Sequence, residues 1–361
     1  MNVTVVGGGN IGTQFAVHCA EKGLNVAMYT SNPDIFQTHL NIVDETGKTT
    51  HEGNIKLATN DPVQAFSKAD FIMVTFPANL MKGIAEIIYR YALASAIIGV
   101  VPGNGGSECA FQKSIARGNP FFLMERVPAI ARLVQKGKTV KSTGYRDELH
   151  IASMPATVSE ICCSLVQSVF EKKCIAIPGI LNLTMTPSNP ILHTTRLKCI
   201  FKDYYTGKTY DKLPLFYEDW NDESSELLLA CDEEVQKICK ALPEHHLDFV
   251  KSLRIHYESK TPQELTRKLS GILAFKGIKT PAVAINGKYV PDFHSRYFTA
   301  DFSYGLSIIQ QVARFADICT PYIDETMAWY RNFAVETGEF KYSDYGISDK
   351  ATFDSFYLGK A

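Results

Sequence analysis

A glycine-rich turn near the start of the chain is the first feature with recognisable chemistry. Gly7, Gly9 and Gly12 fit the pattern GxGxxG, directly after a β-rich run and at the start of a helical pattern. In that context the first glycine allows a tight turn, the second lets backbone approach a pyrophosphate, and the third lets the helix pack on the strand. A pyrophosphate there would meet free N–H groups at the positive end of the helix dipole. The turn predicts a dinucleotide site that includes Asn10 and Ile11, and a plain strand-to-helix turn is the alternative.

The end of the second predicted strand, Asn25–Tyr29, indicates which dinucleotide to expect. NAD-specific folds usually place Asp or Glu about 20 residues after the glycine turn, where it holds the ribose diol. Here Thr30, Ser31 and Asn32 take that position, and the first acid is Asp34. Hydroxyl and amide groups can donate to a 2′-phosphate without repelling it, although no arginine stands nearby. We therefore expect NADP, with NAD as the alternative, and we expect Thr30 and Ser31 to contact it.

Further motifs follow in a set order along the chain. Phe76-Pro77-Ala78 and the segment Val101-Pro102-Gly103-Asn104-Gly105-Gly106 each follow a predicted strand, and Met124-Glu125-Arg126 comes next. The second half contributes Asn189-Pro190-Ile191-Leu192-His193 and, much later, Arg296-Tyr297-Phe298-Thr299-Ala300-Asp301. This ordered set resembles the octopine/nopaline (opine) dehydrogenase family over nearly the whole chain.

The resemblance implies an NAD(P)H-dependent enzyme acting on a CH–NH group. Such an enzyme joins a 2-oxo acid, for example pyruvate, to the amine of an amino acid and reduces the product. By the same resemblance His193 and Asp301 form an acid–base pair, and Arg296 binds the carboxylate of the oxo acid. The remaining positions carried over are Glu125 for the cationic group of the amino substrate, Asn104 near the nicotinamide, and Pro77 for the cofactor.

The chemistry of this reaction independently suits these residue types. Imine formation removes water from a carbinolamine, and the nitrogen left after hydride delivery must end up protonated. Histidine serves both steps because it titrates near neutrality, and an aspartate on its other nitrogen fixes the tautomer. Arginine suits a 2-oxo carboxylate because its planar fork binds bidentately.

Structural interpretations of the same residues remain open. His193 could be an ordinary loop histidine, and Arg296 and Asp301 could form an ion pair near a helix start. Glu125 could pair with Arg126 or Arg132 on the surface.

Two other functions also remain open. A ketopantoate-type 2-oxo acid reductase would be expected to carry a lysine base between the domains, but residues 180–190 contain no lysine. A nucleotide-binding sensor that lost catalysis is possible because fold alone does not establish chemistry. Thr194, Thr195 and Ala300 depart from the family pattern beside the expected pocket, which leaves the substrate's identity open.

The elements that must position these residues alternate in type through the first half of the chain. Residues 71–75 and 96–101 are continuous apolar runs, typical of strands buried on both faces of a parallel sheet. Strands separated by helices predict an α/β Rossmann-type doubly wound domain over residues 1–180. Helical patterns at 223–242, 261–274 and 304–316 predict an all-α domain over residues 181–361.

Bulk composition excludes several classes of partner. The net charge is −1 over 361 residues, which gives no electrostatic reason to expect nucleic acid or an anionic membrane. The nine cysteines show neither a CxxC pair nor zinc-type spacing, so we expect reduced thiols and no metal site. The first residues lack the basic and long apolar segments of a signal peptide. We expect a cytoplasmic protein with small-molecule partners, and a homodimer is one assembly compatible with this.

Overall fold

The chain divides into two compact units, Met1–Leu183 and Thr184–Ala361. The computed structural model describes residues 1–103, 105–186, 188–333 and 338–359. Within these ranges, no helix combines the length and the apolar character needed to cross a membrane. The domain boundary expected at residue 180 stays a prediction.

Strands dominate the first unit. In chain order, the strands described there are β1 (Asn2–Val6), β2 (Asn25–Tyr29), β3 (His39–Val43), β4 (Thr49–Asn54), β5 (Leu57–Thr59), β6 (Phe71–Val74), β7 (Ile97–Val100), β8 (Phe121–Met124), β9 (Ile130–Gln135), β10 (Thr139–Thr143), β11 (Glu148–Met154) and β12 (Lys173–Ala176). The helices are α1 (Asn10–Glu21), α2 (Pro62–Phe66), α3 (Met81–Tyr91), α4 (Ser107–Ala110), α5 (Gln112–Ala116), α6 (Ser159–Phe170) and, at the end of the unit, α7 (Leu181–Thr184).

The main sheet of this unit is doubly wound, as predicted. Among the described residues its strand order is β12-β11-β8-β7-β6-β1-β2-β5. Neighbouring strands are parallel along the part of the sheet that runs β5-β2-β1-β6-β7-β8. Strand β11 is antiparallel to β8, and β12 is parallel to β11. All four residues of β6 are buried, which explains its unbroken apolar sequence. Strand order reverses between β1 and β6, and such a switch point leaves a crevice at the carboxyl ends of the strands.

A smaller sheet, with the order β4-β3-β10-β9, packs on helix α1 and was not predicted from the sequence. Leu40 and Ile42 from β3 and Val140 from β10 share one apolar core with Phe15 of α1. Gly53 brings β4 very close to α1, since a Cβ atom there would lie 2.6 Å from the Ala20 Cβ. The smaller sheet therefore covers the face of α1 that points away from the main sheet.

The second unit is mainly helical, as predicted. Its described helices are α8 (Ser188–Ile200), α9 (Asp222–Ala241), α10 (Leu253–His256), α11 (Pro262–Ser270), α12 (Arg296–Thr299), α13 (Ser307–Phe315), α14 (Pro321–Arg331) and α15 (Lys350–Leu358), with a π-helix at Phe302–Leu306. The prediction did not include the hairpin formed by β13 (Ala282–Ile285) and β14 (Lys288–Pro291). Its turn is Asn286-Gly287, with φ of 50° and 78°, the dipeptide that most strongly favours a tight hairpin.

Candidate active site

The glycine turn lies at the switch point of the main sheet and has room for a ligand on one side. A Cβ at Gly12 would lie 1.7 Å from the Gly7 carbonyl oxygen, and one at Gly7 would lie 2.6 Å from the Thr75 Oγ1. The fold itself therefore requires these two glycines. A Cβ at Gly9 would meet nothing within 4 Å. That open side is where a pyrophosphate can approach the backbone, so the turn fits a dinucleotide.

The start of helix α1 provides the complementary electrostatics. Gly9 is the N-cap residue without a side-chain cap, and the first turn contains no acidic residue. The first N–H groups of the helix thus point outward at the positive end of its dipole. The Asn10 Oδ1 accepts a hydrogen bond from the Leu133 backbone N–H at 2.7 Å. Asn10 therefore anchors the smaller sheet with its side chain, and Asn10 and Ile11 offer a ligand their backbone.

The other cofactor residues expected from the sequence lie at strand ends. The Thr30 N–H donates to the Thr59 carbonyl oxygen at 3.0 Å, next to the end of β2. Thr30 is buried and Ser31 is exposed, so the two hydroxyls face different surroundings. Pro77 is exposed after β6, the strand whose end adjoins the glycine turn. Asn104 lies outside the described residues.

In the second unit, His193 and Asp301 form a hydrogen-bonded pair. Helix α8 carries His193, which is 3% exposed, and Asp301 stands at the start of the π-helix. The His193 Nδ1 and the Asp301 Oδ2 are 2.7 Å apart, although 108 residues separate them in sequence. A carboxylate can only accept here, so it is Nδ1 that carries the proton and Nε2 that presents a lone pair. The arrangement suits acid–base chemistry at Nε2.

Tyr217 completes this arrangement, and the sequence analysis did not identify it. Its hydroxyl lies 2.8 Å from the His193 Nε2. Burial, followed by the charge of Tyr297, raises the pKa of Tyr217 well above its usual range, so the phenol stays protonated and donates to Nε2. Its ring stacks on Phe275, with centroids 4.3 Å apart, and on Trp220. Aromatic density around residue 217 was the available signal, but it did not distinguish Tyr217 from its packing neighbours.

A buried cation, also missed from the sequence, positions Tyr217. Arg196 lies one helical turn after His193 and is 2% exposed. Its Nε donates to the Phe216 carbonyl oxygen at 3.0 Å, and its Nη2 donates to that of Asp219 at 2.6 Å. Burial lowers the pKa of Arg196 to about 10, which leaves it charged at neutral pH. Arg196 therefore ties α8 to the irregular segment that carries Tyr217.

The ring of Tyr297 lies between Arg296 and His193 and contacts both. The Tyr297 ring packs on the His193 imidazole with centroids 4.6 Å apart, and the Arg296 guanidinium lies 5.7 Å from the Tyr297 centroid. Burial raises the pKa of Tyr297, and the charge of Arg296 opposes that shift. Arg296 is exposed at the first position of α12. It can therefore meet an anionic ligand near the histidine.

Glu125, in the first unit, is already engaged by two neighbours. Its Oε2 lies 2.8 Å from the His150 Nδ1, and its Oε1 accepts from the Arg126 Nε at 3.4 Å. Burial acts to raise the pKa of Glu125, but the hydrogen bond from His150 and the charge of Arg126 outweigh it and lower the pKa. The carboxylate is thus ionised, as contact with an ammonium group would require. His150 was not identified from the sequence.

Two parts of the chain match protein-family models. Residues 2–103 match the NAD-dependent glycerol-3-phosphate dehydrogenase N-terminus. Residues 176–334 match the NAD/NADP octopine/nopaline dehydrogenase, alpha-helical domain. Over 365 aligned residues the chain is 28% identical to the opine dehydrogenase of Haliotis discus hannai, covering 91% of this chain and 89% of that protein. The second half of the chain thus matches the helical domain of octopine/nopaline dehydrogenases, and most of the chain is similar to an opine dehydrogenase.

Octopine dehydrogenases show a similar degree of likeness to this chain. The octopine dehydrogenase of Pecten maximus is 25% identical over 76% of this chain and 72% of its own length. An octopine dehydrogenase structure with NADH and L-arginine superposes with a TM-score of 0.85 at 23% identity, covering 100% of this chain and 98% of that one. A second structure of octopine dehydrogenase contains NADH and pyruvate. These likenesses agree with a Rossmann-type unit followed by a helical opine dehydrogenase unit.

Proposed function

We propose that this chain is an opine dehydrogenase that catalyses reductive condensation of a 2-oxo acid with the amine of an amino acid, with NAD(P)H as the reductant. The single observation that carries the proposal is the buried His193, held between Asp301 and Tyr217 within the family's helical domain. Octopine dehydrogenase complexes with L-arginine and with pyruvate support the same pair of substrate classes. The bond formed is a C–N bond, so the enzyme acts on a CH–NH group.

His193 performs the proton transfers of this reaction. The amine adds to the oxo carbon, and the resulting carbinolamine must lose its hydroxyl group as water. The His193 Nε2 supplies a proton to that leaving oxygen once it has taken one from the attacking ammonium group. Asp301 stabilises the imidazolium formed between the two transfers and keeps the ring oriented. NAD(P)H, when bound at the glycine turn, would supply the hydride for reduction of the imine.

Substrate placement depends on two charged residues in this proposal. Arg296 binds the carboxylate of the oxo acid, because it is exposed and lies next to the ring that packs on His193. Glu125 attracts the ammonium group of the amino acid as an ionised carboxylate. Asn104 is proposed as a further substrate contact near the nicotinamide.

The finer identity of the cofactor is also a proposal. Thr30 and Ser31 favour NADP because no carboxylate stands at the end of β2 to repel a 2′-phosphate. Octopine dehydrogenase, by contrast, was solved with NADH. We propose a cytoplasmic location because all nine cysteines are free thiols. A homodimer stays a prediction.

The test is a steady-state assay of NADPH and NADH oxidation with pyruvate and a panel of amino acids, each run with and without pyruvate. We expect oxidation only when an oxo acid and one amine are both present, and a higher kcat/KM with NADPH. The variant His193→Asn is the control, because it should bind cofactor normally in the first unit and lose turnover. Oxidation with the oxo acid alone would identify a simple 2-oxo acid reductase instead. Cofactor binding without turnover on any pair would favour a sensor.

A further inference from the structure

Two histidines and a glutamate meet on the face of α1 that is covered by the smaller sheet. His18 and Glu21 lie three residues apart on α1, and therefore on one side of the helix. His51 faces them from β4, where Gly53 allows strand and helix to approach closely. One ligand atom from each of the three side chains lies within 4.8 Å of the other two. None of them belongs to the glycine turn or to the His193 group.

The local contacts show how the three side chains are held. The His51 Nδ1 lies 2.9 Å from the Glu21 Oε2, and the His18 and His51 ring centroids are 4.6 Å apart. The His18 Nε2 lies 3.1 Å from the Tyr145 hydroxyl. His18 is buried, whereas the side chains of Glu21 and His51 are about one-third exposed. The cluster therefore has one fixed member and two members that solvent and ions can reach.

We propose that His18, Glu21 and His51 form a binding site for a divalent transition-metal ion of the zinc type. Two imidazoles and one carboxylate are ligands that Zn²⁺ accepts, with water in the fourth position. Tetrahedral ligands about 2.1 Å from zinc are about 3.4 Å apart, so small side-chain rotations close the observed spacing.

The proposed ion would link α1 to the smaller sheet. The N-terminus of helix α1 forms part of the proposed dinucleotide site. Strand β4 belongs to the smaller sheet, which covers α1. An ion held by residues from both elements resists their separation during unfolding. Metal binding to the folded chain therefore stabilises this unit by mass action. The sequence did not suggest the site because residue 51 is distant from the helix along the chain.

A second cluster shows why this one is preferred. Glu244, His245 and Asp354 also lie close together in the second unit. There the Lys350 ammonium group lies 2.7 Å from both carboxylates, so a protein cation already occupies the centre of that cluster. In the α1 cluster the nearby Lys22 is paired with Glu171, and no ion pair joins it to the carboxylate of Glu21 among the described residues. The alternative there is a simple Glu21–His51 ion pair with no metal.

The experiment compares Zn²⁺ binding by the chelator-treated, tag-free full chain and two variants. Isothermal titration calorimetry measures stoichiometry and affinity, and thermal unfolding measures the shift in Tm on adding Zn²⁺. His51→Ala removes an accessible ligand, and His39→Ala is the matched control on the neighbouring strand, because His39 is exposed and pairs with Glu52. We expect one ion per chain and a raised Tm for the wild type and His39→Ala, with affinity lowered at least tenfold in His51→Ala.

Visible absorption of bound Co²⁺ tests whether these three side chains are the ligands. Co²⁺ added in place of Zn²⁺ should give the visible absorption of a four-coordinate site in the wild type, and His51→Ala should lose it. The proposal is overturned if the wild type binds no ion under these conditions. It is equally overturned if His51→Ala binds Zn²⁺ as tightly as His39→Ala, since the ion would then lie elsewhere.

Discussion

At the scale of single residues, the acid–base group owes its properties to what surrounds one imidazole. Asp301 accepts from one ring nitrogen, and Tyr217 donates to the other. The two hydrogen bonds select one tautomer of His193 and one ring orientation. Once the Tyr217 hydroxyl turns away from Nε2, a proton can be gained or lost there without movement of the ring.

Asp301→Asn should reduce kcat by about 10²–10⁴-fold, because an amide can donate to Nδ1 and so favour the wrong tautomer. Tyr217→Phe is the matched comparison, since it keeps the stacked ring and removes one neutral hydrogen bond. We expect that change to cost roughly tenfold or less. Steady-state kinetics and cofactor titration measure both variants, and cofactor affinity should stay unchanged. If Asp301→Asn lost no more activity than Tyr217→Phe, the assigned role of Asp301 would be wrong.

Asp232 in α9 gives a prediction about pH and stability. Burial raises its pKa to about 6, and its Oδ2 accepts a hydrogen bond from the Leu253 N–H at 2.8 Å. Because the folded state binds this proton more tightly than the unfolded state, the contribution of Asp232 to stability is greatest below the unfolded value, 3.8, and falls as pH rises through about 6. Asp232→Asn should therefore raise the free energy of unfolding by about 1–3 kcal/mol at pH 7.

Urea unfolding of wild type and Asp232→Asn across the range from acid to neutral pH measures this effect. The two proteins should have similar stability at the acid end and diverge as the pH rises. A constant difference at every pH would show that Asp232 does not titrate in this range.

The sequence pointed to some of the residues that the fold brings together and gave no indication of others. His193 and Asp301 stood in recognisable motifs, and the fold brings them within 2.7 Å. Tyr217 and Arg196 stand in no motif, because their roles depend on an irregular segment whose path is set by tertiary hydrogen bonds. Local sequence patterns do not predict such tertiary contacts.

At the scale of elements, two glycines of the same turn should affect different properties, one the affinity for the cofactor and the other the stability of the fold. Gly9→Ala places a Cβ in open space, so the chain should fold normally and bind cofactor at least about tenfold more weakly. Gly12→Ala places a Cβ against the Gly7 carbonyl oxygen and should lower stability by about 1–3 kcal/mol or more. Thermal unfolding and cofactor fluorescence titration test the pair. Normal cofactor affinity in Gly9→Ala would contradict the assigned approach of the pyrophosphate.

The elements predicted well were those with a strong local pattern. Strand β6 is buried along its whole length and reads as an apolar run, whereas β4 alternates exposed and half-buried positions and contains His51 and Glu52. The smaller sheet therefore gave no signal, because its stability comes from packing on α1 and from pairing between distant segments. The β13–β14 hairpin could have been found from Asn286-Gly287, which the sequence analysis did not use.

At the scale of the whole molecule, the two units carry different parts of the proposed chemistry. The dinucleotide turn and Glu125 belong to the first unit, and the His193 group and Arg296 belong to the second. The doubly wound order of strands and the helical second half were predictable because alternation and periodicity extend over long segments. Substrate identity was not predictable, since it depends on side chains that converge from separate segments.

The most direct measurement of the central claim is product analysis with nicotinamide cofactor deuterated at the transferable position. Pyruvate and an amino acid that supports turnover are incubated with the enzyme, and the product is identified by mass spectrometry and NMR. The account predicts a secondary amine made from both substrates with loss of water, with deuterium on the former carbonyl carbon, and His193→Asn should form far less of it. A deuterated 2-hydroxy acid that contains no nitrogen would contradict the account.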